Sequence, residues 1–335
     1  MAASSFPSSA PEAVRSVTTA GARHEPPSLA MLPAPVLPTP EVAEAFARHR
    51  RAVDAALGRL CEEALDAVDP LVREAIRYSL LGEGKRLRPV LALWAYEAAG
   101  GTGDATALAA AVEVVHAYSL VHDDLPCMDD DDMRRGRPTV HRVYGVPAAT
   151  AAGLAMVPLA ARAAYEASLG LGLDEATAGA VVRDLMRASG AGGMIGGQQL
   201  DLEGEGMALD LAQLERIHRA KTGALITAAA LIGARAAGAG PERLAALRRY
   251  GEAVGLAFQI ADDVLDVTQT SAALGKTAGK DLVAQKSTYP ALLGVEGAMA
   301  RARALVDEAL EALASVDLLT PPLAFVARFS IGRSS

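Results

Sequence analysis

Cysteine is scarce in this chain: Cys61 and Cys127 are the only two among 335 residues. That excludes a disulfide framework and a cysteine-built zinc site, and it fits a reducing, cytoplasmic setting. Aromatic residues make up only 4%, and no stretch alternates in the manner of a strand. Alanine and leucine dominate instead. Both enter helices at little entropic cost, which points to an all-α fold. An excess of positive charge is also missing. The net charge of −8 argues against binding nucleic acid by phosphate neutralisation. No apolar run is long enough to cross a membrane, and the longest, Val146 to Ala161, is broken by Pro147 and Pro158.

Residues 1–40 are rich in Ala, Ser and Pro, with Arg15 and Arg23 as their strong bases. They lack an apolar segment after a basic start, so no signal peptide is read there. A disordered tail is expected, with a transit peptide as the alternative because acidic residues are few. From residue 41 the spacing of apolar residues becomes helical. It predicts helices over 41–65, 70–81, 90–99, 105–122, 148–168, 175–189, 209–237, 242–267 and 289–313, joined by short loops. One all-α domain over 41–335 is expected, a helical bundle with a central cavity.

Within it, carboxylates are crowded at two distant places. HDDLPCMDDDDMRRGRPTVH runs from His122 to His141, and QIADDVLDVTQTSAALGKTAGKDLVAQKSTYP from Gln259 to Pro290. Asp262 and Asp266 are four apart, so on a helix they share a face. Clustered carboxylates repel one another, and in apolar surroundings a divalent cation relieves them. The first cluster lacks the sixth-position Gly and terminal Glu of an EF-hand. Cations follow each cluster: Arg134 and Arg135 after the first, Lys276, Lys280 and Lys286 after the second. Lys85, Arg86 and Arg88 lie in GEGKRLRP, and Lys221 in KTG. These cannot serve a metal, so they imply a polyanion. Carboxylates, hard cation and polyanion together describe a magnesium–diphosphate site. No GxxxxGK[ST] segment is present, which leaves a nucleotide kinase or ATPase poorly supported.

Taken in order, these segments resemble the trans-isoprenyl diphosphate synthases, the polyprenyl synthetase family. GEGKRLRP is similar to its first basic motif. HAYSLVHDDLPCMDDDDMRRGRPTVH is similar to its first aspartate-rich motif, in the form with two extra residues before the last Asp. GGQQLDL, KTG and FQIADDVLD complete the set. The resemblance implies Mg2+ held by Asp123, Asp129 and Asp262, with Asp124 and Asp266 in support, bridging an allylic diphosphate. Arg134, Lys221 and Lys276 would grip that diphosphate. Lys85, Arg88, His116 and Arg135 would hold isopentenyl diphosphate. Gln198, Asp201, Thr222 and Gln259 would line the reacting centre. A homodimer is implied as well. Read without the family, His116, His122 and His141 are ordinary helix or core histidines, and Cys127 is a spacer.

Two departures stand out. Leu154 occupies the place of a family Asp, so one carboxylate near the site is gone. The ending ARFSIGRSS is an irregular form of the family's basic terminus, expected to touch none of the metal or diphosphate residues. Tyr118 lies five residues before Asp123, about 7.5 Å down the axis and rotated by roughly 140°. Tyr118 and Ser119 resemble the bacterial farnesyl form, in which the bulky residue is the pocket floor. Farnesyl diphosphate is therefore the expected product and geranylgeranyl diphosphate the alternative. A terpene cyclase and a non-catalytic partner subunit are less favoured readings: the former lacks the basic motif, the latter the intact aspartates.

Overall fold

The computed structural model describes residues 35–268 and 287–333. It is all-α, with a single two-residue antiparallel ribbon among the described residues. Helices α1 (Pro40–Ala64), α2 (Pro70–Leu80), α3 (Leu87–Ala98) and α4 (Thr106–Asp123) come first. The ribbon β1 (Met133–Arg134) and β2 (Arg137–Pro138) shapes the basic loop. Then come α5 (Val140–Tyr144), α6 (Val146–Gly170), α7 (Glu175–Ser189), α8 (Met194–Glu203) and α9 (Leu211–His218). A π-helix, Arg219–Gly223, leads into α10 (Ala224–Ala236) and α11 (Pro241–Thr268). Beyond residue 286 lie α12 (Tyr289–Ala314) and α13 (Pro321–Phe329).

The starts of these helices follow local chemistry. Asp69 and Asp174 accept backbone N–H groups that have no partner inside the helix. Asp210 forms a reciprocal capping box with Gln213. Proline occupies the first turn of α1, α2, α12 and α13, where its missing N–H costs nothing.

Helix α4 is apolar on every side and buried along its length, from Thr106 to Val121. A helix of that kind belongs at the centre of a bundle. It packs against α6, α3 and α1, while α11 runs beside α12 and α10. Trp94 anchors one end of the core, its ring 5.8 Å from Phe46 and 6.5 Å from Phe325. Burying a side chain of that size contributes on the order of 2–3 kcal/mol.

The structure differs from the sequence expectation at α8. Met194–Glu203 is helical, although MIGGQQLDLE carries two glycines of poor helix propensity. Tertiary packing overrides that propensity. A Cβ on Gly197 would lie 2.2 Å from the Lys221 backbone nitrogen, so only glycine lets α8 touch the π-helix. The span expected as one helix over 209–237 is likewise divided by that π-helix. The expected tail boundary also shifts. Val36 already donates its N–H to the Gly332 carbonyl at 3.0 Å. Residues 1–34, with most of the expected tail, lie outside the described residues.

Candidate active site

Both acidic clusters sit at helix C-termini, the negative ends of the helix dipoles, where carboxylates are disfavoured. Asp123 is the last residue of α4 and Asp124 its C-cap. Asp262, Asp263 and Asp266 lie in the last two turns of α11. After Asp123 the chain turns tightly. The Asp129 N–H donates to the Asp123 carbonyl at 2.8 Å, which folds Asp129 back over the helix end. Burial pushes the Asp123 carboxyl up to about 6; Lys221 opposes this shift and Asp129 adds to it. Burial also raises Asp124, against the pull of Arg134.

The described residues contain no ready-made cluster of three acidic or imidazole groups for a metal ion. They do contain the right unsatisfied oxygens. The buried Asp266 Oδ2 and Gln198 Oε1 have no hydrogen-bond partner. Hard carboxylate and carbonyl oxygens of this kind suit magnesium. Two acidic banks, each with more carboxylates than the cations paired to it, fit ions shared with a bound polyanion.

A cavity of about 970 Å³ opens beside these banks. Lys85, Arg88, His116, Arg134 and Arg135 line it together with Asp131 and Asp262. The four residues expected to hold isopentenyl diphosphate, Lys85, Arg88, His116 and Arg135, thus share one wall. Burial, then the repulsion of Arg88 and Arg135, holds the His116 imidazole well below its usual range, so it is neutral. It stands 3.4 Å from an Arg88 nitrogen. Arg135 takes a left-handed backbone with φ of 52° and donates to the Glu83 carbonyl at 2.7 Å. This ties the basic loop to the GEGKRLRP segment.

The residues expected to line the reacting centre meet around the π-helix. Lys221 Nζ donates to Asp201 Oδ2 at 2.7 Å. Burial disfavours its charge, yet Asp201, Asp129 and Asp123 together raise its pKa. Thr222 Oγ1 donates to Gln259 Oε1 at 2.9 Å. Gln198 Nε2 donates to Asp129 Oδ1 at 3.3 Å. Adjacent residues of one π-turn therefore serve the two banks, Lys221 the first and Thr222 the second. The widened π-turn is a recurring feature of functional helices.

Several placements differ from expectation. Arg134 is paired with Asp124, its Nε 2.9 Å from Oδ1, and also reaches Asp131. In the described state it therefore serves a carboxylate rather than standing open. Arg86 is not available to a polyanion. It is buried, and it donates to Asp54 at 2.8 Å and to the buried Glu113 at 2.7 Å. Tyr118 is buried, and its hydroxyl lies 2.7 Å from Ser189 Oγ and 3.0 Å from the Ser189 carbonyl. Ser119 bonds back to the His116 carbonyl. Leu154 does not line the cavity and is 62% exposed on α6. Lys276, Lys280 and Lys286 lie outside the described residues. His122 and His141 are satisfied locally, by the Thr150 carbonyl and by Thr139.

Two residues of the site escaped the sequence reading. Asp263, the second Asp of DDVLD, is buried. It accepts from His218 at 3.1 Å, from the Tyr289 N–H at 3.0 Å and from Gln259 at 3.3 Å. It thereby orients the glutamine that receives Thr222. The available signal was its burial phase: on a helix Asp263 is rotated about 100° from Asp262. The second is Arg333. Contrary to the expectation for the irregular C-terminus, its Nη2 contacts Asp262 Oδ1 at 2.6 Å.

A family model described as polyprenyl synthetase matches residues 69–318. The chain is 48% identical over 265 residues to a chloroplastic geranylfarnesyl diphosphate synthase of Leucosceptrum canum, covering 76% of this chain and 72% of that protein. It is 47% identical over 264 residues to a chloroplastic geranylgeranyl pyrophosphate synthase 9 of Arabidopsis thaliana, covering 76% and 73%. Among solved structures, a putative farnesyl-diphosphate synthase from Marinomonas sp. MED121 superposes with a TM-score of 0.72 at 36% identity, covering 87% of this chain and 98% of that one. The Leucosceptrum and Arabidopsis relatives overturn the expectation of a cytoplasmic setting, since both are named chloroplastic. A low cysteine count constrains redox chemistry, which reducing compartments share, and not the compartment itself. The ordered motifs, the all-α bundle and the paired acidic banks agree with the family match: this chain is a trans-prenyltransferase of the polyprenyl synthetase family.

Proposed function

We propose that the enzyme condenses isopentenyl diphosphate with allylic diphosphates, with Mg2+, to geranylgeranyl diphosphate. One observation carries this reading: an acidic residue from each cluster, Asp131 and Asp262, lines the same cavity as the cations Lys85, Arg88, Arg134 and Arg135. Asp123, Asp129 and Asp262 would hold the magnesium, with Asp124 and Asp266 beside them. When bound, magnesium supplies positive charge against the departing diphosphate. Lys221 and Arg134, with Lys276 from outside the described residues, add fixed charge at the same place. As the allylic carbon–oxygen bond breaks, the oxygen keeps the electron pair and the carbon becomes a cation. Lys85, Arg88, Arg135 and neutral His116 hold isopentenyl diphosphate so that its double bond attacks that carbon. The proton lost in forming the new double bond passes to the released diphosphate. Thr222 and Gln259 present oxygen dipoles towards the reacting centre, and the alanine-rich helices exclude water that would capture the cation.

The twenty-carbon product follows the named relatives, several of which are geranylgeranyl synthases. One structural observation favours the fifteen-carbon alternative: the buried Tyr118 ring, braced on Ser189, bridges α4 to the end of α7. Incubating purified protein with magnesium, isopentenyl diphosphate and each allylic starter, then sizing the products, separates the two. Asp123→Asn and Asp262→Asn should each lower turnover by at least about 100-fold, the scale of lost transition-state charge stabilisation. Wild-type rates in either variant contradict the metal assignment. Tyr118→Ala should lengthen the product by at least one five-carbon unit. An unchanged product from a folded, active variant removes Tyr118 from length control.

The homodimer is supported by α6. It is the one helix among the described residues long and apolar enough to cross a membrane, and 39% of its most apolar window is buried. It nonetheless packs on α4 and α7, and it shows Val146, Leu154 and Leu169 to solvent. A second copy is the natural cover for that face. Light scattering should give twice the chain mass, and Leu154→Glu should shift it towards the monomer; a wild-type monomer at micromolar concentration contradicts the dimer. The organelle names of the relatives favour the transit-peptide alternative for residues 1–40, tested by fusing them to a fluorescent reporter and following its location.

Proton and metal compete for Asp123. Its carboxyl titrates near 6 in the metal-free protein, and only the ionised form binds a cation. Below that pH the proton wins, so magnesium affinity should fall by up to about ten-fold per pH unit. Calorimetric magnesium titrations between pH 5 and 8 should show this slope, and Asp123→Asn should flatten it. A wild-type affinity independent of pH contradicts it.

A further inference from the structure

The last described residue reaches back into the site. Arg333 is almost wholly buried, with 7% of its side chain exposed. Its guanidinium lies 3.6 Å over the centre of the Phe258 ring, a cation–π contact. Its Nη2 donates to the Phe258 carbonyl at 3.0 Å and to Asp262 Oδ1 at 2.6 Å. Its Nε is buried without a partner. The backbone just before it is pinned by the Val36 N–H on the Gly332 carbonyl at 3.0 Å. The C-terminus is thus stapled to the segment that enters α1, and its charge is delivered to a carboxylate of the second bank.

The surroundings do not favour a cation at that place. Lys85 and Arg88 line the same cavity; burial lowers the pKa of both, and repulsion from Arg333 adds to that. What holds Arg333 there is Asp262 and the Phe258 ring. A guanidinium and a metal ion cannot both take the same carboxylate oxygen at bonding distance.

We infer that Arg333 is the resident counter-ion of Asp262, a C-terminal latch that occupies this carboxylate until a divalent cation displaces it. The inference rests on the reading of Asp262 as a metal ligand. Its consequence is a coupling that runs both ways. Arg333 weakens metal binding, and metal binding loosens the C-terminus by the same free energy. No bond is made or broken covalently; one ion pair is exchanged for another. Arg333 is a positioning residue: its Nη2 fixes the Asp262 carboxylate through Oδ1.

Two readouts independent of turnover test this. The first is Mn2+ binding to the full chain without substrate, followed by the loss of the free-ion paramagnetic signal. Arg333→Gln should bind Mn2+ about ten-fold more tightly than wild type, the scale of one buried charge-assisted hydrogen bond. A chain ending at Gly332 should do the same, which covers the case of a poorly folded Arg333→Gln. The second is hydrogen exchange at the Val36 and Gly332 amides, which should accelerate in wild type on adding Mn2+ and be metal-independent in Arg333→Gln. Unchanged or weaker Mn2+ affinity in both variants, or metal-insensitive exchange in wild type, overturns the latch. Failure of Asp262→Asn to weaken Mn2+ binding at all overturns instead the underlying metal assignment.

Discussion

The repulsion between carboxylates gathered at two helix ends is the constraint on which this structure depends. Asp123 and Asp124 close α4, and Asp262, Asp263 and Asp266 crowd the end of α11. The dipoles of both helices add negative potential at the same points. A carboxylate in such a place protonates, pairs with a cation or binds a metal. The chain uses the first two as holding arrangements: Asp123 is pushed towards protonation, Asp124 is paired with Arg134, and Asp262 is paired with Arg333. Asp266 Oδ2 is buried with no hydrogen-bond partner.

The rest of the fold places cations and dipoles against those ends. The π-helix is central to this because it interrupts α-helical phase where α8 and α11 converge. Glycines at the crossings allow the approach: a Cβ on Gly255 would sit 2.6 Å from the Cα of Gly223. Lys221 therefore faces Asp201 and the first bank, and Thr222 reaches Gln259 beside the second. Asp263 supports this second arm from behind. It holds Gln259, His218 and the start of α12 with one buried carboxylate.

Much of this was legible in the chain because it is written in local patterns. The all-α fold follows from alanine, leucine and three- to four-residue apolar spacing. The acidic clusters and GEGKRLRP are contiguous, so their chemistry is visible without a fold. What was hidden depends on distant contacts. Arg86 reads like Lys85 and Arg88 until Glu113 and Asp54 are found to take its charge. Helix α8 looks too glycine-rich until its glycines meet the π-helix. Arg333 lies in a segment without a clear pattern, and its partner is 71 residues away (333 minus 262). Asp263 differs from Asp262 only in helical phase, which sequence alone does not convert into a role.

The central claim is that these carboxylates are held apart from full compensation so that metal and diphosphate can complete them. Thermal melting of the wild-type chain in chelator, and again in excess magnesium with inorganic pyrophosphate, tests it most directly. Ligands at about 100 times their dissociation constant stabilise the state that binds them by roughly 2.7 kcal/mol. The account predicts a rise in Tm of roughly 5 °C or more with both ligands present, and a smaller rise with either alone. An unchanged Tm with both present contradicts it.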